Sequence, residues 1–284
     1  MKRKGTAKWS TILHTLYWWV HRVSEVCPFG MQEPFLDKRL PAVLTNCKLL
    51  NPKVRTLVYT NMSIYDEDVW RKILRWQMLD TLAVSFYGVT KQIYEALQPP
   101  LSFEAVKQNI KSLVKLKRKM HCDKPEVNLH ILLMPETLKR AQKFAVKYRP
   151  LLDNVGYVRW DSWCGRKPYS DEWESKVWGP SEESRFPCPR LWRILQVHYD
   201  GTIVPCCLDA HEMEPCGNIL DDHEAFYNNP RLNELRTLHL KGEQDTIPLC
   251  RDCTVWRRDH DPVWNQIWRK HTKTVSSAVN PYTK

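Results

Sequence analysis

Glycine is scarce in this chain: nine among 284 residues, spread thinly. They form neither a G-x-G-x-x-G nor a Walker lysine motif, so the backbone cradle that grips a nucleotide phosphate is missing, and the sequence argues against nucleotide hydrolysis. Long apolar runs are missing too. No stretch approaches the roughly eighteen uninterrupted apolar residues of a membrane span, and mean hydropathy is negative, so a soluble protein with no membrane partner is expected. A secretory leader is not evident. Met1-Lys2-Arg3-Lys4 precedes an apolar stretch, but His14 and Thr15 interrupt it and no small-x-small cleavage site follows before Pro28. Trp9, Ile12, Leu16, Trp19, Val20 and Val23 recur instead at helical spacing, and the expected location is cytoplasmic.

What the chain has in quantity is cysteine, tryptophan and positive charge: ten Cys, thirteen Trp, and 43 Lys and Arg against 32 acids. In a reducing compartment ten cysteines read as a metal or cluster framework more readily than as disulfides. Residues 104–150 carry twelve Lys or Arg against four acids, mostly opposite an apolar helical stripe, where a solvated surface is the default reading. Without a nucleic-acid motif beside them, these charges and the Trp-rich stretches give no expectation of nucleic-acid binding.

The first half alternates helical and strand patterns. Strands are expected at 26–29, 54–59, 82–86, 127–134 and 155–160, with helices near 40–50, after an Asp66 cap, after a Ser102 cap, and over 138–148. Strands separated by helix-length segments pair in parallel, in a barrel or a doubly wound sheet. Residues 161–187 break the rhythm and read as a linker. Beyond them a hairpin is expected, 195–199 against 202–205, turning at Asp200-Gly201, with a helix over 234–240. The expected domains are 1–165, a linker at 166–187, a cysteine-rich domain at 188–256 and a basic tail at 257–284.

Cys188 is followed by twelve residues, Gly201, four more residues and Cys206; a C-x-x-C, Cys250-Arg251-Asp252-Cys253, closes the set. A hairpin donating one thiolate from each strand and a knuckle donating two bring four sulfurs together, which suits a four-iron cluster or a structural zinc. Cys207 is expected on the opposite strand face from Cys206. Cys27, Cys47, Cys122, Cys164 and Cys216 have no partner spacing and read as buried or neutral thiols.

These words carry a family resemblance. Cys188-Pro189-Arg190-Leu191, Asp200-Gly201-Thr202-Ile203-Val204-Pro205-Cys206-Cys207, Gly217-Asn218-Ile219, Ala225-Phe226-Tyr227-Asn228-Asn229-Pro230, Leu235-Arg236 and Pro248-Leu249-Cys250-Arg251-Asp252-Cys253 resemble the SPASM domain, the auxiliary iron–sulfur domain of many radical SAM enzymes. The resemblance implies that Cys188, Cys206, Cys250 and Cys253 hold one auxiliary 4Fe-4S cluster. Gly30-Met31-Gln32-Glu33-Pro34 resembles the G-E-P turn that meets the methionine ammonium of S-adenosyl-L-methionine, with Gln32 in place of glycine. Thr60-Asn61-Met62-Ser63 resembles T-N-G-S, and Val84-Ser85-Phe86-Tyr87-Gly88 resembles the fourth strand and its turn. Asn128 or His130 falls where fifth-strand polar groups meet the nucleoside. By resemblance, then, Gln32, Glu33, Pro34, Asn61, Ser85 and His130 bind the cofactor.

The sequence contains no C-x-x-x-C-x-x-C, the triad that leaves one iron open for S-adenosylmethionine. The opening residues resemble the segment after its third cysteine. The expected architecture is therefore α/β, a partial (β/α)6 TIM-like barrel lacking its first strand, with a small SPASM domain. A split gene or mis-assigned start, with a separate N-terminal fragment as partner, is the favoured explanation; a genuine short form comes second. A peptide or protein substrate follows family habit. The competing reading is a non-enzymatic four-cysteine zinc or iron–sulfur module that binds an acidic partner or nucleic acid.

Overall fold

The computed structural model describes residues 5–134, 137–158, 160–166, 172, 185, 187–224, 226 and 229–257. The expected tail beyond Arg257 and nearly all of the linker at 166–187 lie outside the described residues, as do Ala225, Tyr227 and Asn228. The described chain forms two compact units. One runs Ala7–Trp160; the other takes in Gly5, Thr6, residues 161–166 and the described residues from 185 onward. Residues 161–165, grouped with the barrel in the sequence reading, thus pack in the cysteine-bearing unit. Among the described residues no helix is long and apolar enough to cross a membrane.

The first unit is a five-stranded parallel sheet in the order β1-β2-β3-β4-β5: Glu25–Val26, Arg55–Thr60, Thr81–Phe86, Glu126–Leu132 and Asn154–Val158. The connections are α2 (Leu40–Leu50), α3 (Glu67–Arg75), α4 with α5 (Lys91–Leu97, Phe103–Lys119) and α6 (Leu138–Tyr148); α1 (Trp9–Trp19) precedes the sheet. Strand order equal to chain order, with every crossover helical, is the barrel member of the two arrangements that the sequence left open. The helices start where side chains satisfy orphan amides: Asp66 accepts from the amides of Asp68 and Val69, and Ser102 from that of Ala105. From there Trp70, Ile73 and Leu74, and Phe103, Val106, Ile110, Leu113 and Val114, turn inward at helical period.

Register separates the sheet into two chemistries. Val58, Leu82, Val127 and Val155 point to the helical layer and join its core. On the opposite face Tyr59 and Ala83 pair, Ala83 pairs with Asn128 and Asn128 with Asn154; one step on, Ser85 pairs with His130 and His130 with Gly156. A parallel strand buried on both faces reads as continuously apolar, so these polar positions mark a surface meant for something other than packing. At the foot of the sheet Asp80, 8% exposed, accepts the Thr56 amide at 2.9 Å and pairs with Lys48 and Lys124.

Two expectations shift. The strand expected at 26–29 is only Glu25–Val26, because Pro28 has no amide to give the ladder and Phe29 turns back onto the Cys27 carbonyl. The helix expected from 234 begins at Pro230, capped by Asn229, whose side chain accepts the Leu232 amide at 2.9 Å and donates to the Cys216 carbonyl at 2.5 Å.

In the second unit β6 (Gln196–Val197) and β7 (Ile203–Val204) form the expected hairpin. Gly201 turns it at φ +92°, and a Cβ there would meet Asn218 Oδ1 at 2.4 Å. Residues 216–219 add a third segment against β7, through the Ile203 amide to the Gly217 carbonyl and the Cys216 amide to the Ile203 carbonyl. Arg236, buried on the Pro230–Lys241 helix, donates to the carbonyls of Leu191 and Phe226, which ties that helix to the segment after Cys188.

Candidate functional site

The structure brings the four SPASM-type cysteines together. Cys188, Cys206, Cys250 and Cys253 line one cavity, with Leu191, Leu235, Ile247 and Leu249 forming apolar walls and His239 among the lining. Cys206 sits just past β7, where the Leu208 amide donates to its sulfur at 3.3 Å. Cys250 and Cys253 occupy the expected knuckle, closed by a hydrogen bond from the Cys253 amide to the Cys250 carbonyl. Arg185 donates to the carbonyls of Cys250 and Arg251, fixing the knuckle from outside. Burial pushes the Cys250 thiol up.

Three features of this site were not read from the sequence. Cys164, taken there as a thiol without partner spacing, also lines the cavity and shares a hydrogen bond with Cys253, which draws the Cys253 thiol down. The backbone makes this contact possible through three successive left-handed residues, Trp163, Cys164 and Gly165, at φ 48°, 59° and 76°. Ser162 anchors the turn, since its hydroxyl donates to the Asp252 carbonyl, and its amide donates to Thr254 Oγ1 at 2.8 Å.

Cys207 differs as well. Both Cys206 and Cys207 lie beyond the strand, so pleat alternation does not apply; their thiols hydrogen-bond each other and Arg190 donates to Cys207 Sγ at 2.9 Å. The third is His239: its Nδ1 accepts the Cys188 amide at 3.2 Å and its Nε2 lies 3.4 Å from Cys250 Sγ. Burial, then the Arg185 charge, lowers its pKa to about 4.

The barrel candidates form two groups. Glu33 Oε1 accepts the Thr60 hydroxyl at 2.6 Å and Oε2 accepts the Asn61 amide at 2.8 Å, so the turn after β1 is bonded to the end of β2. Pro34 is buried behind it and Gln32 is exposed. Met62, where the resembled motif has glycine, takes φ 56° with its side chain fully buried. Ser85 and His130 are direct neighbours at the ends of β3 and β4, and the Tyr59 ring lies 6.0 Å from that of His130. Asn128 is one pleat below on the same face.

Residues 188–254 match the family model for SPASM, an iron-sulfur cluster-binding domain. They form a SPASM domain. No curated protein matches the chain. Among solved structures, BtrN in complex with AdoMet and 2-DOIA aligns with a TM-score of 0.55 at 13% identity, over 89% of this chain and 82% of that one. Native anSMEcpe with bound AdoMet aligns at 0.57 and 15%, over 92% and 84%. The same protein with AdoMet and the Kp18Cys peptide aligns at 0.59 and 15%, over 92% and 84%. The likeness shows that this chain has their fold, with a TIM-like barrel in the first unit, and the family model places a SPASM domain in the second.

The residues of the SPASM domain fit an iron–sulfur cluster: soft thiol donors, from two ends of a hairpin segment and a C-x-x-C, spread around an apolar cavity. Among the described residues no three His, Cys, Asp or Glu side chains are close enough to hold one metal ion. In the barrel, Glu33 fits an ammonium, because among the described residues Oε2 receives only the Asn61 amide and keeps acceptor capacity.

Proposed function

We propose that this protein binds one 4Fe-4S cluster through Cys188, Cys206, Cys250 and Cys253, and that its barrel face takes S-adenosylmethionine at Glu33, Asn61, Ser85 and His130. The observation that carries the reading is the convergence of these four cysteines, from three separate segments, on one cavity of the SPASM domain. In the complete system the bound groups supply reductive cleavage of S-adenosylmethionine to a 5′-deoxyadenosyl radical that takes hydrogen from a substrate. The protein's own part is to orient. Glu33 holds the ammonium against the end of β2, with Gln32 and Pro34 supplying the adjoining backbone edge. Ser85 and His130 offer polar groups to the nucleoside. Four thiolates for four irons leave no iron open, which favours electron transfer over substrate binding at this cluster.

The sequence holds no C-x-x-x-C-x-x-C, so this chain by itself is expected not to cleave the cofactor. A peptide or protein substrate is the favoured class, by analogy with the peptide-bound anSMEcpe structure. The experiment is anaerobic reconstitution of the chain, with assay of iron and acid-labile sulfide, followed by dithionite and S-adenosylmethionine. The expected result is four irons per chain, loss of that iron in Cys250→Ser, and no 5′-deoxyadenosine. Zinc in place of iron would sink the cluster reading in favour of the four-cysteine zinc module; 5′-deoxyadenosine from the chain alone would sink the claim of inactivity.

A further inference from the structure

His239 touches two of the four cluster cysteines. It lies on the inner face of the Pro230–Lys241 helix with Leu232, Leu235 and Arg236, 2% exposed. The Asn229 cap and the bonds of Arg236 fix that helix, so the imidazole position is set by regular structure rather than by a loop. Its Nδ1 is 3.2 Å from the Cys188 amide nitrogen and its Nε2 is 3.4 Å from Cys250 Sγ.

The tautomer follows from hydrogen-bond roles. A backbone amide only donates, so Nδ1 is the bare nitrogen; in a neutral imidazole the proton then sits on Nε2, which faces the sulfur. We infer that His239 is a positioning residue for the SPASM cluster: its Nε2–H donates to the Cys250 sulfur, and this hydrogen bond raises the cluster's reduction potential. The inference rests on Cys250 being a ligand, as proposed above.

The physical reason is charge. A reduced cluster puts more negative charge on its sulfurs than an oxidised one, so an N–H···S bond is stronger in the reduced state, and removing it makes reduction harder. Cys206 receives a comparable bond from the Leu208 backbone amide, which no side-chain substitution removes. Cys250 receives one from the His239 side chain, as Cys253 does from the Cys164 thiol, so at these two ligands a substitution can adjust the potential.

Two substitutions separate the two contacts. The amide nitrogen of His239→Gln reaches toward the Nε2 position and can donate to sulfur. The carbonyl of His239→Asn can accept the Cys188 amide at the Nδ1 position but offers nothing to Cys250. The experiment reconstitutes the full chain anaerobically with iron and sulfide, assays iron, and titrates the cluster electrochemically with an EPR readout. The expected result is full iron in both variants, a potential near that of the unmodified protein in His239→Gln, and about a tenfold smaller reduction equilibrium constant in His239→Asn, which is about 59 mV for one electron.

An unchanged potential in fully loaded His239→Asn would overturn the inference. So would equal shifts in the two variants, which would make the residue merely structural, or loss of iron from both, which would make it a ligand or a folding determinant. Full iron in Cys250→Ser would instead overturn the ligand assignment beneath it.

Discussion

The Cys164 and Cys253 thiols share a hydrogen bond, so a fifth sulfur stands inside the site proposed to hold a cluster on four. The C-x-x-C knuckle commits Cys253 by its backbone, whereas Cys164 reaches the cavity only through a left-handed turn docked on that knuckle. Cys164→Ser should therefore keep four irons per chain, and Cys253→Ser should lose most of them. Iron and sulfide assays after anaerobic reconstitution decide it; retention in Cys253→Ser would mean that Cys164 had taken its place.

Asp80 gives a pH-dependent prediction. Burial alone would raise its pKa, but hydrogen bonds from Lys124 and Lys48 and from the Thr56 amide outweigh it and hold the group at about 2. A depressed carboxylate contributes stability that is fully present above its unfolded value, near 3.8, and is lost as pH falls through about 2. Asp80→Asn should cost the barrel unit about 2 kcal/mol at pH 7. In urea titrations the gap between the two proteins should hold from pH 7 to about 4 and close towards pH 2; a gap constant to pH 2 would contradict the pairing.

Met62 sets strain against burial. Its φ of 56° in a non-glycine residue costs about 1 kcal/mol, and the resembled motif has glycine there. Its side chain is fully buried in the core with Leu44, Val58 and Trp70, and removing a buried Met side chain costs about 2–5 kcal/mol. Burial wins, so Met62→Gly should destabilise the protein by about 2 kcal/mol rather than relax it. A higher Tm in the variant would reverse that ranking.

At Gly201 the two effects act in one direction. A methyl group there faces both a φ of +92° and Asn218 Oδ1 at 2.4 Å, while Asn218 is held by the Asp200 carbonyl. Gly201→Ala should cost about 1–3 kcal/mol and reduce iron uptake, because β7 leads directly into Cys206. Thermal denaturation with and without reconstitution measures both.

Much of this was legible in the chain. Period and caps located α3, α5 and α6; Asp200-Gly201 located the hairpin; spacing and the hairpin glycine singled out four of the five cysteines that line the cavity. What escaped depends on contacts between distant segments. Cys164 lies in a stretch with no period and no nearby cysteine, and only the docking of Ser162 against Asp252 and Thr254 aims it. His239 looks like an ordinary residue on a buried helix face until the Cys188 amide and the Cys250 sulfur are seen on its two nitrogens. The Asn229-Pro230 start of its helix was readable, since a capping residue before a proline is a known helix opening.

Ser162 holds the chain on both flanks of Cys253, through the Asp252 carbonyl on one side and the Thr254 hydroxyl and amide on the other. The loop entropy at this corner is consequently lost when the polypeptide folds, and the incoming inorganic core does not have to order it. That corner of the cavity is thus a ready-made socket, whose backbone is held by protein contacts alone.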